Sequence, residues 1–86
     1  MDINNLISII KKKISNNISC ETIKIEDKSF LHKKHPGNND GRFHIKLSIK
    51  SQELKKMTRI DSNKKIYKIL NEEINQSIHS LQILIN

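Results

Sequence analysis

The most constraining feature of this 86-residue sequence is a strict alternation of apolar and polar residues from Arg42 to Lys50. In an extended chain, one side of this stretch carries only apolar residues, namely Phe43, Ile45, Leu47 and Ile49. The other side is polar, and we expect His44 to lie there at an ordinary exposed position. A strand with one apolar face and one polar face indicates a sheet that is covered on one side and open on the other.

Two further strands and a helix are predicted from shorter patterns. Apolar residues recur at helical spacing after Asp2, which suits an N-cap, and predict a helix within residues 1–20; they are Ile3, Leu6, Ile7, Ile10 and Ile14. Residues 21–26 alternate and predict a strand. Residues 78–85 are rich in β-branched side chains and predict a last strand, in which Leu81, Ile83 and Ile85 share a face with His79.

Residues 52–76 are predicted to form a pair of helices. The first covers residues 52–59 and carries Leu54 and Met57 as its apolar positions. A break follows, and either Asp61 or Ser62 is expected to cap the second, longer helix. The apolar positions of that helix are Ile66, Ile69, Leu70 and Ile74.

The resulting order, α-β-β-α-α-β, predicts an α+β fold in one domain that spans residues 1–86. The first two strands can pair antiparallel, whereas the helix pair between the second and third strands is a crossover of the length that parallel neighbours need. We therefore expect a three-stranded mixed sheet with the helices on one face. Cys20, at the far end of the first strand, is expected at the opposite edge of the sheet from the loop at residues 29–42.

Residues 29–44, which include that loop and the start of the next strand, contain three of the four histidines, both glycines and the only proline of the chain. If the third strand runs parallel to the second, its start lies at the same edge as the loop, so His79 is expected close to His32 and His35. Neutral imidazole binds borderline and transition metals, and such a group with an open position could share an ion or a cluster with a second molecule. The alternative is that His79 bonds to backbone and the loop histidines are solvated.

Composition limits the function classes. Sixteen Lys and Arg residues against nine Asp and Glu residues give a net charge of +7, which favours anionic partners or reflects a solvated surface. No catalytic motif is present, so we do not expect an enzyme. The single cysteine, the lack of a long apolar run and the polar N-terminal residues favour a cytoplasmic protein that does not enter membranes.

Four segments carry a family resemblance. They are Ser29-Phe30-Leu31-His32, Arg42-Phe43, Lys65-Ile66-Tyr67 and Ile78-His79-Ser80-Leu81. Together they resemble the BolA family over about residues 21 to 84. The resemblance implies the same α-β-β-α-α-β order and a fold similar to the type II KH domain.

The resemblance also implies a function. BolA-like proteins are non-enzymatic partners of monothiol glutaredoxins, and the heterodimer holds a bridging [2Fe-2S] cluster together with glutathione. By motif match, His79 is the C-terminal ligand, and His32 is the best candidate for the loop ligand, with His35 as the alternative. We expect the chain alone to bind no cluster tightly and to be a monomer or a weak homodimer.

A second function implied by the resemblance is transcriptional regulation, with DNA as the partner. The helix pair at residues 52–76 would then present a set of cationic side chains to phosphates, as a helix-turn-helix does. This set consists of Lys55, Lys56, Arg59, Lys64, Lys65 and Lys68. In the sequence, Asn63-Lys64-Lys65 stands where the family usually has Arg-His-Arg.

Overall fold

The structure is a computed structural model that describes residues 2–29 and 42–86. Its elements are α1 (Ile3–Asn17), β1 (Thr22–Asp27), β2 (Phe43–Lys50), α2 (Gln52–Lys55), α3 (Arg59–Ile69), α4 (Asn71–Gln76) and β3 (Ile78–Ile85). The fold class is the predicted one, an α+β domain with a three-stranded mixed sheet. Within the described ranges, no helix is both long enough and apolar enough to cross a bilayer.

The sheet has the predicted topology, with β2 in the centre. β1 pairs antiparallel with β2, so that Ile25 lies opposite Leu47. β3 pairs parallel with β2 on the other side, which places Ile83 beside the same leucine. Because β2 and β3 run in the same direction, both strands begin at the same end of the sheet. This is also the end at which β1 finishes.

Helix α1 covers the apolar face of the sheet. The Asp2 side chain accepts a hydrogen bond from the Asn5 N–H at 2.8 Å, so the predicted N-cap is confirmed. The predicted apolar stripe supplies Leu6, Ile10 and Ile14 to the core, and all three are fully buried. The remaining buried apolar residues are Ile18, Ile45, Leu47, Ile49, Leu54, Ile66, Leu70 and Ile78.

The connection between β2 and β3 contains three helices rather than the predicted pair. Thr58, and not Asp61 or Ser62, is the N-cap of α3, because its side chain accepts a hydrogen bond from the Asp61 N–H at 3.1 Å. Ser62 is buried one turn inside the helix. The backbone then leaves helical geometry at Leu70, with φ −100° and ψ 17°, and α4 begins at the next residue.

Two ion pairs tie the helices to one another. Lys13 of α1 contacts the carboxylate of Glu73 in α4 at 2.6 Å, and Glu73 is only 6% exposed. Glu53 of α2 accepts hydrogen bonds from the Ser19 N–H and from the Lys65 Nζ. These contacts join α1 to α4 and α2 to α3, so the helical layer is held by polar as well as apolar contacts.

Candidate functional site

The candidate site is the end of the sheet at which β1 finishes and β2 and β3 begin, and we call it the histidine rim. Its described residues are Asp27–Ser29, Arg42–His44 and Ser77–Ser80. The Phe43 N–H donates to the Ser77 carbonyl oxygen at 2.9 Å, which joins the starts of β2 and β3 directly. The prediction that His79 lies at the same edge as the two ends of the loop is therefore confirmed for the described residues.

A β-bulge sets the position of His79. Phe43 lies opposite Ile78, but the next residue, His44, lies opposite Ser80, so His79 is the extra residue in β3. Ile78 is buried while His79 and Ser80 are exposed. The prediction that His79 continues the face formed by Leu81 is wrong, because the bulge shifts the alternation by one residue.

His44 is not the exposed surface residue that the alternation predicts. It is 6% exposed, and its Nδ1 lies 2.6 Å from the Ser80 Oγ. Its ring packs against the ring of His79 with the centroids 4.7 Å apart and the planes tilted by 52°. The side chain still lies on the open face of the sheet, but its neighbours on β3 cover it.

The main chain of His44 also fixes the end of β1. Its N–H donates to the Ser29 Oγ at 3.0 Å, and its carbonyl oxygen accepts from the Lys28 N–H at 2.7 Å. The Ser29 N–H in turn donates to the Asp27 carboxylate at 2.9 Å, a local turn that ends the strand. The chain therefore leaves the sheet beside the two imidazoles.

The two loop histidines of the predicted site, His32 and His35, lie outside the described residues. Within the described ranges, the rim contributes the imidazoles of His44 and His79, and no group of three metal-ligating side chains occurs. A pair of imidazoles is too few for a closed zinc or iron site, which needs four ligands.

Sequence reasoning missed His44 and Ser80 as members of this site. Both residues are identified by the register between the parallel strands β2 and β3. This register places His44 next to Ser80 on the open face of the sheet. Cys20, by contrast, lies where it was predicted, at the far end of β1, where the Glu21 N–H bonds to the Lys50 carbonyl oxygen. Burial raises the pKa of the Cys20 thiol, which disfavours the reactive thiolate.

Not all side chains of the predicted cationic set are exposed to solvent. Five of its six members are exposed: Lys55, Lys56, Arg59, Lys64 and Lys68. Lys65 is the exception, because its ammonium contacts the Glu53 carboxylate at 2.5 Å and its side chain is 35% exposed. Lys65 is therefore less accessible than the other five side chains, and its contact with phosphates stays a prediction.

Comparison with known families agrees with this architecture. A family model described as BolA-like protein matches residues 14–86. The chain belongs to the BolA family. The match begins within α1 and includes every strand, so the described part of the histidine rim lies inside the region that defines the family.

Two curated relatives of this BolA-like protein are similar in sequence. A protein of Haemophilus influenzae named DNA-binding transcriptional regulator BolA is 35% identical over 75 residues, which are 87% of this chain and 70% of that protein. The chloroplastic protein BOLA1 of Arabidopsis thaliana is 27% identical over 85 residues. That alignment covers 95% of this chain but only 53% of the relative, so this BolA-like protein spans about half of BOLA1.

Solved structures share the fold. The BolA domain of SufE1 from Arabidopsis thaliana superposes with a TM-score of 0.77 at 22% identity, and it covers 100% of this chain and 93% of that chain. BolA1 from Mus musculus gives a TM-score of 0.72 at 18% identity, with coverage of 90% and 60%. At these identities the likeness concerns the fold alone.

Proposed function

We propose that this BolA-like protein is a non-enzymatic partner of a monothiol glutaredoxin and shares a bridging [2Fe-2S] cluster with it. In this proposal, His79 is one ligand, and a histidine of the loop, His32 or else His35, is the second. The glutaredoxin and glutathione supply the thiolates on the other iron. The chain alone would hold no cluster tightly.

The observation that carries the proposal is the position of His79. It is exposed, it occupies a bulge, and it lies at the edge where the chain enters and leaves the segment at residues 30–41. His32 follows Ser29 by three positions in the sequence, and Ser29 bonds to His44 in the rim. A second molecule that approaches this edge can reach His79 without displacing any element of the sheet.

The donor set fits such a cluster. Imidazole is a known ligand of [2Fe-2S] iron, and two histidines in place of two thiolates on one iron raise the reduction potential. When bound between the two proteins, the cluster would supply one-electron redox chemistry or be passed on. The role of this chain is to hold imidazole at an accessible edge, and the packed ring of His44 restricts how the ring of His79 turns.

The test is reconstitution of the mixed complex. The chain is mixed with a monothiol glutaredoxin, glutathione, iron and sulfide, and the absorption and circular dichroism spectra of the purified heterodimer are recorded. His79→Ala should abolish the spectrum of the histidine-ligated cluster while the variant stays folded. Gln82→Ala, an exposed position on the same strand, is the matched control and should leave the spectrum unchanged.

The loop ligand is assigned by a second pair of variants. His32→Ala should alter the spectrum more than His35→Ala if His32 is the ligand, and the reverse order would assign His35. A spectrum that survives both the His79→Ala change and the paired loop changes would show that this chain contributes no imidazole to the cluster.

A second candidate function is DNA binding, and two observations favour it. Five cationic side chains of the helices are exposed, and the relative from Haemophilus influenzae carries the name of a DNA-binding regulator. Phosphate contacts release counterions, so affinity for a DNA duplex should fall steeply as salt rises. Neutralising Lys64 and Lys68 together should reduce both the affinity and the salt slope, whereas His79→Ala should change neither.

A further inference from the structure

The outer edge of β3 carries main-chain groups that no strand of the described residues pairs with. β3 lies at one side of the sheet, with β2 as its neighbour. The Asn86 N–H and C=O both bond to the β2 side, to Ile49 and Ser51. Since the backbone groups of a strand alternate in direction, those of Ile83 and Ile85 point outward, away from β2.

The two edges of the sheet differ in their protection. β1, the other edge strand, carries Lys24, Glu26 and Asp27, and such charges disfavour the addition of another strand. β3 has no Lys, Arg, Asp, Glu or Pro over eight residues. Leu84 on its open face is 43% exposed, a large apolar side chain next to the outward backbone groups.

A pocket of about 240 Å³ adjoins the C-terminal half of this edge. Its apolar lining residues are Leu54, Met57, Ile83, Leu84 and Ile85. This volume lies below the ~300–1,000 Å³ of typical small-molecule sites, so the pocket suits a single side chain rather than a cofactor. A strand added to β3 would lie about 4.8 Å further out and direct alternate side chains toward this pocket.

The charged residues that line the pocket are cationic. Lys55 and Arg59 line it, no acidic residue does, and both side chains are exposed. Within the described ranges neither of them forms an ion pair with a carboxylate. An apolar side chain in the pocket would therefore lie beside positions where acidic residues are favoured.

We infer that the outer edge of β3 and its pocket bind an extended partner segment in which apolar residues are flanked by acidic residues two positions before and after them, on the same face of the strand. The segment adds a fourth strand to the sheet through main-chain hydrogen bonds, and one of its apolar side chains occupies the pocket. Its acidic residues lie near Lys55 and Arg59. This surface is at the opposite end of β3 from His79, so it is separate from the proposed cluster site.

Charge distinguishes this occupant from two others. A second copy of the chain would offer its own β3, which has no acidic residue, and two copies of net charge +7 repel each other. A nucleic acid would match Lys55 and Arg59, but it offers no strand for the outward groups of Ile83 and Ile85. Only an acidic and apolar peptide uses the edge, the pocket and the charges together.

The experiment uses the full chain and a fluorescein-labelled peptide in which a leucine is flanked by glutamates two positions before and after it, with serines at the positions between, followed by fluorescence polarisation. We expect saturable binding, and amide hydrogen exchange of Ile83 and Ile85 should slow in the complex. The same peptide with lysine in place of each glutamate should bind far more weakly. Only one set of alternate amides can face β3, so N-methylation of that set should abolish binding, and N-methylation of the other set should not.

Variants of the chain provide the matched comparison. Arg59→Glu and Leu84→Glu should each weaken the peptide roughly tenfold or more, as expected when charges at an interface become repulsive. Lys12→Glu on α1 and Lys24→Glu on β1 make a comparable charge change elsewhere and should leave affinity within about twofold. Thermal unfolding of each variant checks that the fold is intact.

Four results of the binding experiments would overturn the inference. They are the absence of saturable binding, equal binding of the lysine peptide, equal effects of Arg59→Glu and Lys12→Glu, and displacement of the peptide by a DNA duplex with a steep salt dependence. A dimer that sedimentation detects and that Leu84→Glu dissolves would assign the edge to a second copy and also reject the inference.

Discussion

At the scale of single residues, the β-bulge at His79 determines which side chain of the histidine rim is exposed to solvent. Without the bulge, position 79 would alternate with Ile78 and face the same side of the sheet as Leu81. With the bulge, Ile78 remains in the core while the imidazole of His79 is exposed beside His44. The ring of His44 is in turn fixed by the Ser80 hydroxyl, so three neighbouring side chains form one unit.

The hydrogen bond between Ser80 and His44 should contribute to stability. Ser80→Ala leaves the buried Nδ1 of His44 without its hydroxyl partner, and we expect a loss of about 1–3 kcal/mol in the free energy of unfolding. Ser48→Ala, on the open face of the central strand, is the control. The free energy of unfolding of both variants is measured in urea. Equal losses would show that the hydrogen bond to His44 adds no stability beyond what the Ser48 side chain contributes.

The limits of prediction from the sequence are also visible at this scale. The alternation in β2 correctly predicts which residues face the core, since Ile45, Leu47 and Ile49 are buried. The burial of His44 could not be predicted, because it depends on the register of a strand more than thirty positions away. Bulges arise from such non-local pairing, and β3 contains no glycine that would mark one in the sequence.

At the scale of elements, the helical layer depends on a few polar contacts as well as on apolar packing. The sequence predicts α1 and its N-cap correctly, because both are local features. It places the start of α3 too late, since Thr58, Asp61 and Ser62 are all acceptable N-caps and only the tertiary structure selects Thr58. The sequence does not predict the break between α3 and α4 at Leu70 either, because the helical spacing of apolar residues continues across it.

Stability should depend on pH through Glu53. Its hydrogen bonds to Lys65 and to the Ser19 N–H hold the pKa of the carboxyl below its ordinary value of about 4.5. A carboxyl with a lowered pKa in the folded state stabilises the fold above its ordinary pKa, and this contribution is lost as pH falls through the folded-state pKa. Stability should therefore fall as the pH drops below about 4.5.

The measurement is the melting temperature as a function of pH for Glu53→Gln and for Glu21→Gln, whose carboxylate pairs with Lys50 at the surface. Glu53→Gln should lower the melting temperature at neutral pH and flatten its fall in acid. Identical acid profiles for the two variants would show that the Glu53 contacts do not control this transition.

The pair between Lys13 and Glu73 should stabilise the contact between α1 and α4. Lys13→Met leaves the carboxylate of Glu73 buried without its cation, which should cost about 1–3 kcal/mol. The double variant Lys13→Met with Glu73→Gln should recover part of this loss, since no charge remains buried. Denaturant unfolding of the three variants tests this, and strictly additive losses would contradict the coupling.

At the scale of the whole molecule, the topology separates two surfaces. The β2–β3 crossover brings position 79 to the edge where residues 29 and 42 lie, a placement that the order of the elements alone predicts. The opposite end of β3, roughly 20 Å from position 79 at ~3.3 Å per residue, carries the pocket and the outward backbone groups. A partner at the histidine rim and a peptide at the outer edge of β3 can therefore bind without overlap.

In the proposed complex, an imidazole from this chain is bound to the iron of the shared cluster. The most direct test is pulsed electron paramagnetic resonance of the reduced complex with a monothiol glutaredoxin, in which only this BolA-like protein carries nitrogen-15 histidine. We predict a strong nitrogen-15 coupling that His79→Ala removes or reduces by half. A complex without such a coupling, or one whose coupling is unchanged in His79→Ala, would contradict the account.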